Sequence, residues 1–294
     1  MIKKTIYLSS ASSVSLRNSQ MVVSDKDTGE SRTVPVEDIG IVLAENQQIS
    51  FTIPLLNDLS ENGAVVIFCN RAMRPDSILL PLEGNTIQSE VYRLQIRASG
   101  PLKKQLWKQV ITAKIYNQSS MLKVAGRDGD MLKPYYCNVK SGDSDNREGI
   151  AAKLYWDNLF DSQFSRVQET DDGLNSMLNY GYAILRAAMS RAIVGSGLSL
   201  SFGLFHKNRY NAFPLADDLM EPYRPYVDCA VWELWKAGIT ELTKDAKVKL
   251  LRVLTCDTRF GDMIRPLEIG LSMTTASLVR CVAGEDKELC LPRM

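Results

Sequence analysis

The hydrophobic pattern of this chain changes period once. Through residue 81, apolar positions come in short β-branched or alternating runs: Thr5 to Leu8, Ser13 to Arg17, Gln20 to Ser24, Arg32 to Pro35 and Ile39 to Leu43. Such runs predict strands, and Asp25-Lys26-Asp27-Thr28-Gly29 supplies hairpin turn chemistry between two of them. One helix is expected among them, Phe51 to Glu61, with Ile53, Leu55, Leu56 and Leu59 at mixed helical spacing and Asn62-Gly63 as its stop. Ala64 to Cys69 reads as a buried strand and Ser77 to Pro81 as a last short one. Leu82 to Asn85 is the predicted boundary.

Beyond it the period becomes helical. Thr86 to Ser99 sets Ile87, Val91, Leu94 and Ile96 near one face. Pro101 starts a second helix with Leu102, Leu106, Val110, Ala113 and Tyr116 facing inward. Lys103, Lys104, Lys108, Lys114 and Lys123 are assigned to its other side, as a solvated surface, with phosphate binding as the alternative. Arg127 to Asn146 is a polar connector that delivers Glu148 to a helix ending near Phe160. A polar loop at Glu169 to Gly173 precedes a long helix, Leu174 to Val194, with Leu178, Tyr182, Leu185, Ala188 and Met189 inside. Helices at Val227 to Ala237, Leu242 to Leu254 and Asp262 to Val282 finish the chain. The expected fold class is α+β: a small N-terminal β-sandwich-like domain, residues 1–85, then a larger all-α domain, residues 86–294.

Composition narrows the class. A chain of 294 residues with 45% hydrophobic content is globular. Six widely spaced cysteines, with no C-x-x-C pair and a single histidine, argue against a zinc site. The first residues lack the apolar core of a secretory signal, and the apolar stretch from Tyr180 to Gly197 is interrupted by Arg186 and Arg191, so a membrane span is not expected. The reading is a cytoplasmic protein with reduced thiols. The net charge of +1 is not that of a protein that coats DNA electrostatically. It is unevenly spread, however: residues 1–85 carry 7 Lys+Arg against 10 Asp+Glu, and the remainder 28 against 24. A basic face on the second region is permitted.

The chemistry concentrates between His206, the only histidine, and Arg224. Asp218 and Glu221 stand three residues apart, so a helix beginning near Leu215 puts both carboxylates on one face, within reach of one cation. A carboxylate-rich helix start also has a bland explanation, with Asp217 or Asp218 as an N-cap and Glu221 offsetting the helix dipole. Against it, Phe213, Leu215, Leu219, Met220 and Tyr223 crowd the segment. Buried acids need a partner or a cation. A dinucleotide loop at Gly195-Ser196-Gly197 lacks its third glycine and follows a helix, and a Ser-His-Asp triad fits the neighbouring carboxylates less well than a metal.

The block H-x11-D-L-M-E-P-Y-R formed by His206 and Asp218 to Arg224, the preceding loop Gly197 to Gly203, and the E-x-x-A-A-x-x-Y pattern at Glu148, Ala151, Ala152 and Tyr155 together resemble the CRISPR-associated spacer-acquisition integrases, most closely their type II branch. The resemblance implies Glu148, His206 and Glu221 as ligands of Mg²⁺ or Mn²⁺, with Asp218 as a fourth catalytic residue whose role is open. It implies joining of 3′-hydroxyl ends of short foreign double-stranded DNA to a CRISPR repeat by transesterification, alongside endonuclease activity. The implied partners are a second copy in a homodimer, a small second CRISPR adaptation protein and the type II effector nuclease. Lys207, Arg209 and Arg224 are the candidate DNA contacts. A stand-alone metal-dependent nuclease and a non-catalytic DNA scaffold remain the alternatives.

Overall fold

The computed structural model describes residues 3–161, 164–167, 170 and 173–294. The chain divides into two compact units, Met1–Thr86 and Ile87–Met294. In the first, β1 (Lys4–Leu8), β5 (Ile39–Ala44), β7 (Val65–Cys69) and β8 (Pro75–Leu79) form one sheet in the order β1-β5-β7-β8, parallel except for the last pair. The second sheet runs β4 (Ser31–Pro35), β3 (Gln20–Asp25), β2 (Ser12–Arg17), β6 (Ser50–Phe51). The predicted turn joins β3 to β4: Asp25 Oδ1 accepts the backbone N–H groups of Asp27 and Thr28, both at 2.9 Å, and Gly29 takes the left-handed conformation. Helix α1 (Ile53–Glu61) lays Leu55 and Leu59 onto Val14, Met21, Ile39, Val42 and Val66, so both sheets and the helix share one apolar core. Phe51, expected to open that helix, belongs instead to β6, and the helix starts after the extended Thr52.

The second unit is built around α3 (Gly100–Val124), which follows α2 (Gln88–Arg97). Ser99 caps α3 by accepting the N–H of Leu102, and Gly100 and Pro101 open it. Its buried face carries Leu106, Trp107, Val110, Ile111, Ile115, Met121 and Leu122. It also carries Lys114, only 7% exposed. The assignment of Lys114 to a solvated lysine face is therefore wrong. Its spacing of four from Val110 and three from Ile111 places it in phase with the apolar stripe.

The connector expected from Arg127 to Asn146 contains a short helix, α4 (Lys133–Tyr136), flanked by 3₁₀ turns. Then come α5 (Arg147–Leu159), α6 (Gly173–Gly195), α7 (Pro214–Met220), α8 (Arg224–Lys236) and α9 (Lys244–Leu251). Of the polar loop anticipated at 169–173, residues 169, 171 and 172 lie outside the described set. The helix expected from Asp262 to Val282 begins later. Asp257–Phe260 and Met263–Pro266 form an antiparallel hairpin, β9 and β10, turned by Gly261 at positive φ, and α10 (Leu267–Ala283) starts behind Pro266. The β-branched and alternating residues before Pro266 give a strand, and proline suits the helix boundary. Among the described residues no helix is long and apolar enough to cross a membrane.

Since α3 packs against α5, α7 and α8, its buried face is the mechanical centre of the unit. Ile111→Ala is expected to cost about 2–5 kcal/mol of unfolding free energy, whereas Lys104→Ala on the exposed face stays within about 0.5 kcal/mol. Urea unfolding checks the contrast; equal midpoints would contradict it.

Candidate active site

Four segments far apart in sequence meet in a cleft of about 340 Å³ in the second unit. From α3 comes Lys114, from α5 Glu148, from the loop before α7 His206, and from the turn after α7 and the start of α8 Glu221 and Arg224. A larger cavity of about 480 Å³, at Tyr226, Cys229, Arg252 and Cys256, holds no carboxylate–histidine set, so chemistry rather than size selects the cleft.

Glu148 is fixed by the entrance to α5. Asp143 accepts the backbone N–H groups of Arg147 at 2.8 Å and Glu148 at 3.1 Å, and Asn146, in the left-handed conformation, accepts from Gly149. These bonds satisfy N–H groups that a helix start leaves open. Glu221 is placed by prolines. Helix α7 stops at Met220, Glu221–Tyr223 tightens into a 3₁₀ turn containing Pro222, and α8 restarts with Pro225 in its first turn. The buried amide of Asn117 on α3 donates to Pro222 O at 2.7 Å and to Pro292 O at 3.1 Å, and its oxygen accepts the N–H of Met294 at 3.0 Å. One side chain thus ties the turn bearing Glu221 to the last residues of the chain.

The loop bearing His206 is clasped at two points. Gln95 of α2 donates to the carbonyls of Ser199 and Phe202 and accepts the N–H of Ser199. Asp218, fully buried, accepts at Oδ2 from the N–H groups of Leu204 at 2.6 Å and Phe205 at 2.9 Å. Its Oδ1 lies 2.5 Å from His206 Nδ1. Gly203 permits this approach: a Cβ there would sit 2.8 Å from Asp218 Oδ2 and 2.9 Å from His206 O. Phe205 stacks flat on Trp107 with centroids 4.6 Å apart, and His206 meets Trp107 edge-on.

The electrostatic centre is Lys114. Its ammonium lies 2.6 Å from Glu148 Oε1 and 2.5 Å from Glu221 Oε2, and Arg224 Nη2 holds Glu221 Oε1 at 3.0 Å. Burial opposes ionisation of Glu221, but the charges of Arg224 and Lys114 outweigh it and hold the carboxyl below its usual range. Burial likewise works against the charged form of Lys114, and Glu221 and Glu148 overcome it, so its pKa is raised. Despite the close ammonium, Glu221 Oε2 accepts no hydrogen bond among the described residues. The contact with Glu221 is an ion pair, whereas Glu148 Oε1 receives a directed bond.

Asp218 and Glu221 therefore do not face one cation, as an uninterrupted helix would place them. Asp218 serves the His206 loop, and Glu221, carried into the 3₁₀ turn, serves Lys114 and Arg224. Asp217, not a sequence candidate, lines the cleft in salt bridge with Arg186 at 2.7 Å. Glu148, His206 and Glu221 all line the cleft, yet among the described residues no three His, Cys, Asp or Glu side chains are gathered into a ligand set. Lys114 occupies the point between the two carboxylates. Arg224 is bound to Glu221 and lies over the Tyr182 ring at 4.9 Å. Lys207 and Arg209 are exposed, and Arg209 folds over Tyr210 at 4.7 Å. A further group escaped the sequence reading: Asp228 on the cleft wall is buried beneath the hydroxyls of Tyr155 and Tyr182, and burial pushes its pKa up to about 6. Helical phase would have found Lys114; nothing local marks Gln95, Asn117 or Asp228.

The family model described as CRISPR associated protein Cas1 matches residues 6–256. The chain belongs to the Cas1 family. A "CRISPR-associated endonuclease Cas1" of Neisseria meningitidis is 37% identical over 85% of this chain and 83% of its own length. A second Cas1 endonuclease, from Saccharolobus solfataricus, is 28% identical over 71% of this chain and 66% of its own. Among solved structures, a casposase bound to integration product aligns with TM-score 0.81 at 20% identity, over 98% of this chain and 92% of that one. A Cas1 protein from Thermotoga maritima gives 0.74 at 17% identity, covering 96% and 98%. The Cas1 fold thus extends over nearly the whole chain.

The hydrogen bond to Asp218 is the main cause that raises the pKa of His206. Because this is the only histidine, its titration by NMR is expected to have a midpoint above about 6.5, and Asp218→Asn is expected to bring it down. The folded-state value being raised, the pair's contribution to stability is complete below the unfolded value and is lost as pH rises through the folded one. A midpoint unchanged by Asp218→Asn would contradict this account.

Proposed function

We propose that the cleft is a metal-dependent centre that joins 3′-hydroxyl ends of short double-stranded DNA to a CRISPR repeat by transesterification, in the cytoplasm, and that also supports DNA cleavage. The observation that carries the reading is the convergence of Glu148, His206 and Glu221 on one cleft in which a cation already sits between two carboxylates, with the buried Glu221 Oε2 accepting no hydrogen bond. Two carboxylates and an imidazole suit Mg²⁺ or Mn²⁺, the imidazole favouring Mn²⁺. A bound ion would supply Lewis-acid polarisation of the scissile phosphate and favour the ionised form of the attacking oxygen.

The chain's own residues prepare the rest. Asp218 accepts the Nδ1 proton of neutral His206, so that Nε2 presents its lone pair to the cleft. Arg224 keeps Glu221 ionised and oriented. Arg186, held at Nε by Asp217, and Arg166, held by Asn175 and Asn179, give the cleft wall fixed positive charge facing the phosphodiester. In the joining step, a 3′-oxygen bonds to a phosphorus of the repeat, the bond from that phosphorus to its former 3′-oxygen breaks, and the proton lost by the attacker is matched by one gained by the leaving group. One phosphodiester replaces another, so no external energy source is required. With water as the attacker, the same centre cleaves. Lys207 and Arg209 contact the DNA backbone outside the cleft, while Arg224 acts through Glu221.

The chain works as a homodimer with a small second adaptation protein and, in a type II system, with the effector nuclease that selects fragments. A neighbour of the same fold, solved in a Cas6-RT-Cas1–Cas2 complex, supports the second partner.

The test incubates the protein with Mn²⁺ or Mg²⁺, a labelled short duplex with free 3′-hydroxyls and a supercoiled plasmid carrying a repeat, with and without the small partner. Label is expected to enter the plasmid, to require the metal, and to be lost with His206→Ala or Glu221→Ala while the dimer persists. Asp218→Asn is expected to cost about 10–100-fold, as removal of a group orienting a metal-binding histidine does. Nicking without joined label would replace integration with a nuclease function, and full activity of Glu221→Ala would reduce the carboxylates to structural groups.

A further inference from the structure

We infer that Lys114 is a resident counter-cation that leaves its carboxylates when a divalent metal enters, so that ammonium and metal exclude one another. This rests on the metal reading above and concerns how the centre is kept folded before metal binds.

Four observations carry it. The ammonium contacts one oxygen of each carboxylate that would ligate the metal, at 2.6 and 2.5 Å. Lys114 is only 7% exposed, so its charge is balanced by those carboxylates and not by water. Arg224 takes the other oxygen of Glu221, Oε1, at 3.0 Å, so Oε2 is the oxygen that the ammonium gives up to an incoming cation. Finally, the charges balance without a metal: Lys114 and Arg224 together neutralise Glu148 and Glu221. Adding a divalent ion to that set leaves two uncompensated positive charges. Exchanging it for the ammonium leaves one, which a single phosphodiester cancels. Lysine suits the role, because a compact ammonium on a four-carbon stem can turn away without movement of its helix, where a forked guanidinium would be locked to its carboxylates. Without either cation, two carboxylates would face each other in a partly buried cleft, each raising the other's cost of ionisation. Once displaced, the ammonium is released toward the cleft, beside the DNA phosphate.

Lys114→Met keeps most of the stem and removes the charge. In the full-length protein freed of metal by chelation, Mn²⁺ binding followed by electron paramagnetic resonance is expected to tighten by about tenfold or more relative to wild type, with His206→Ala identifying which signal belongs to the cleft. The metal-free variant is expected to melt below metal-free wild type, and Mn²⁺ to raise its melting temperature more than that of wild type. Equal or weaker Mn²⁺ binding by Lys114→Met would overturn the exchange while leaving the metal site standing. No cleft-specific Mn²⁺ signal in either protein would overturn the metal reading and the exchange together. Should the variant fail to fold, reductive methylation of wild type followed by mass spectrometry decides: Lys114 is expected to react several-fold faster with Mn²⁺ than without, and an unchanged or slower reaction would refute its displacement.

Discussion

A buried ammonium between two carboxylates is the constraint around which the second unit is arranged. Taking Lys114 out of water is unfavourable by itself, and the loss is offset only if both partners arrive from other elements with their oxygens in place. Glu148 is brought by the capped start of α5 and Glu221 by the proline-bounded turn, while Arg224 supplies the charge that keeps Glu221 ionised. Removing one partner from such a set leaves a charge stranded in a poorly solvated place, which costs about 3–5 kcal/mol in comparable cases. The site and the core of the unit are consequently not separable: α3 contributes Trp107, Ile111 and Lys114 from the same face.

The two acids three residues apart divide their labour because the helix carrying them does not continue. Pro222 has no N–H to extend α7, and the chain tightens at Glu221 before α8 begins. Asp218 stays inside, where backbone N–H groups of the preceding loop surround it much as they would a bound anion, and it steadies the imidazole through its other oxygen. Glu221 points to the cleft. Asp217, the most exposed of the three, pairs with Arg186 and Asn211 at the wall.

Much of this was legible in the residues themselves. The strands of the first unit stand where β-branched runs and turn residues put them, because a short strand is announced by its own composition. The long helices followed their apolar period for the same reason. Reading failed where a residue's type and its surroundings disagree. Lys114 was sorted with its surface neighbours because lysine is rarely buried, although its helical phase pointed inward. The hairpin at Asp257–Pro266 was absorbed into the following helix because Met263 and Ile264 fit either period. Asn117, Gln95 and Asp228 act through partners 46 to 177 residues away, and no local pattern encodes a partner at that distance.

The reach of Asn117 has a consequence for the order in which the protein is made. Its two carbonyl partners lie 105 and 175 residues downstream, and synthesis proceeds at roughly 5–20 residues per second. The first unit has every strand partner within its first 86 residues and is free to close while the rest is still being translated. The helix at the heart of the second must wait, with a polar amide and a lysine on its apolar face, until residue 292 has been made. The second unit is thereby completed later than the first, and a ribosome paused before residue 292 leaves it exposed to proteases and chaperones while its companion is already folded.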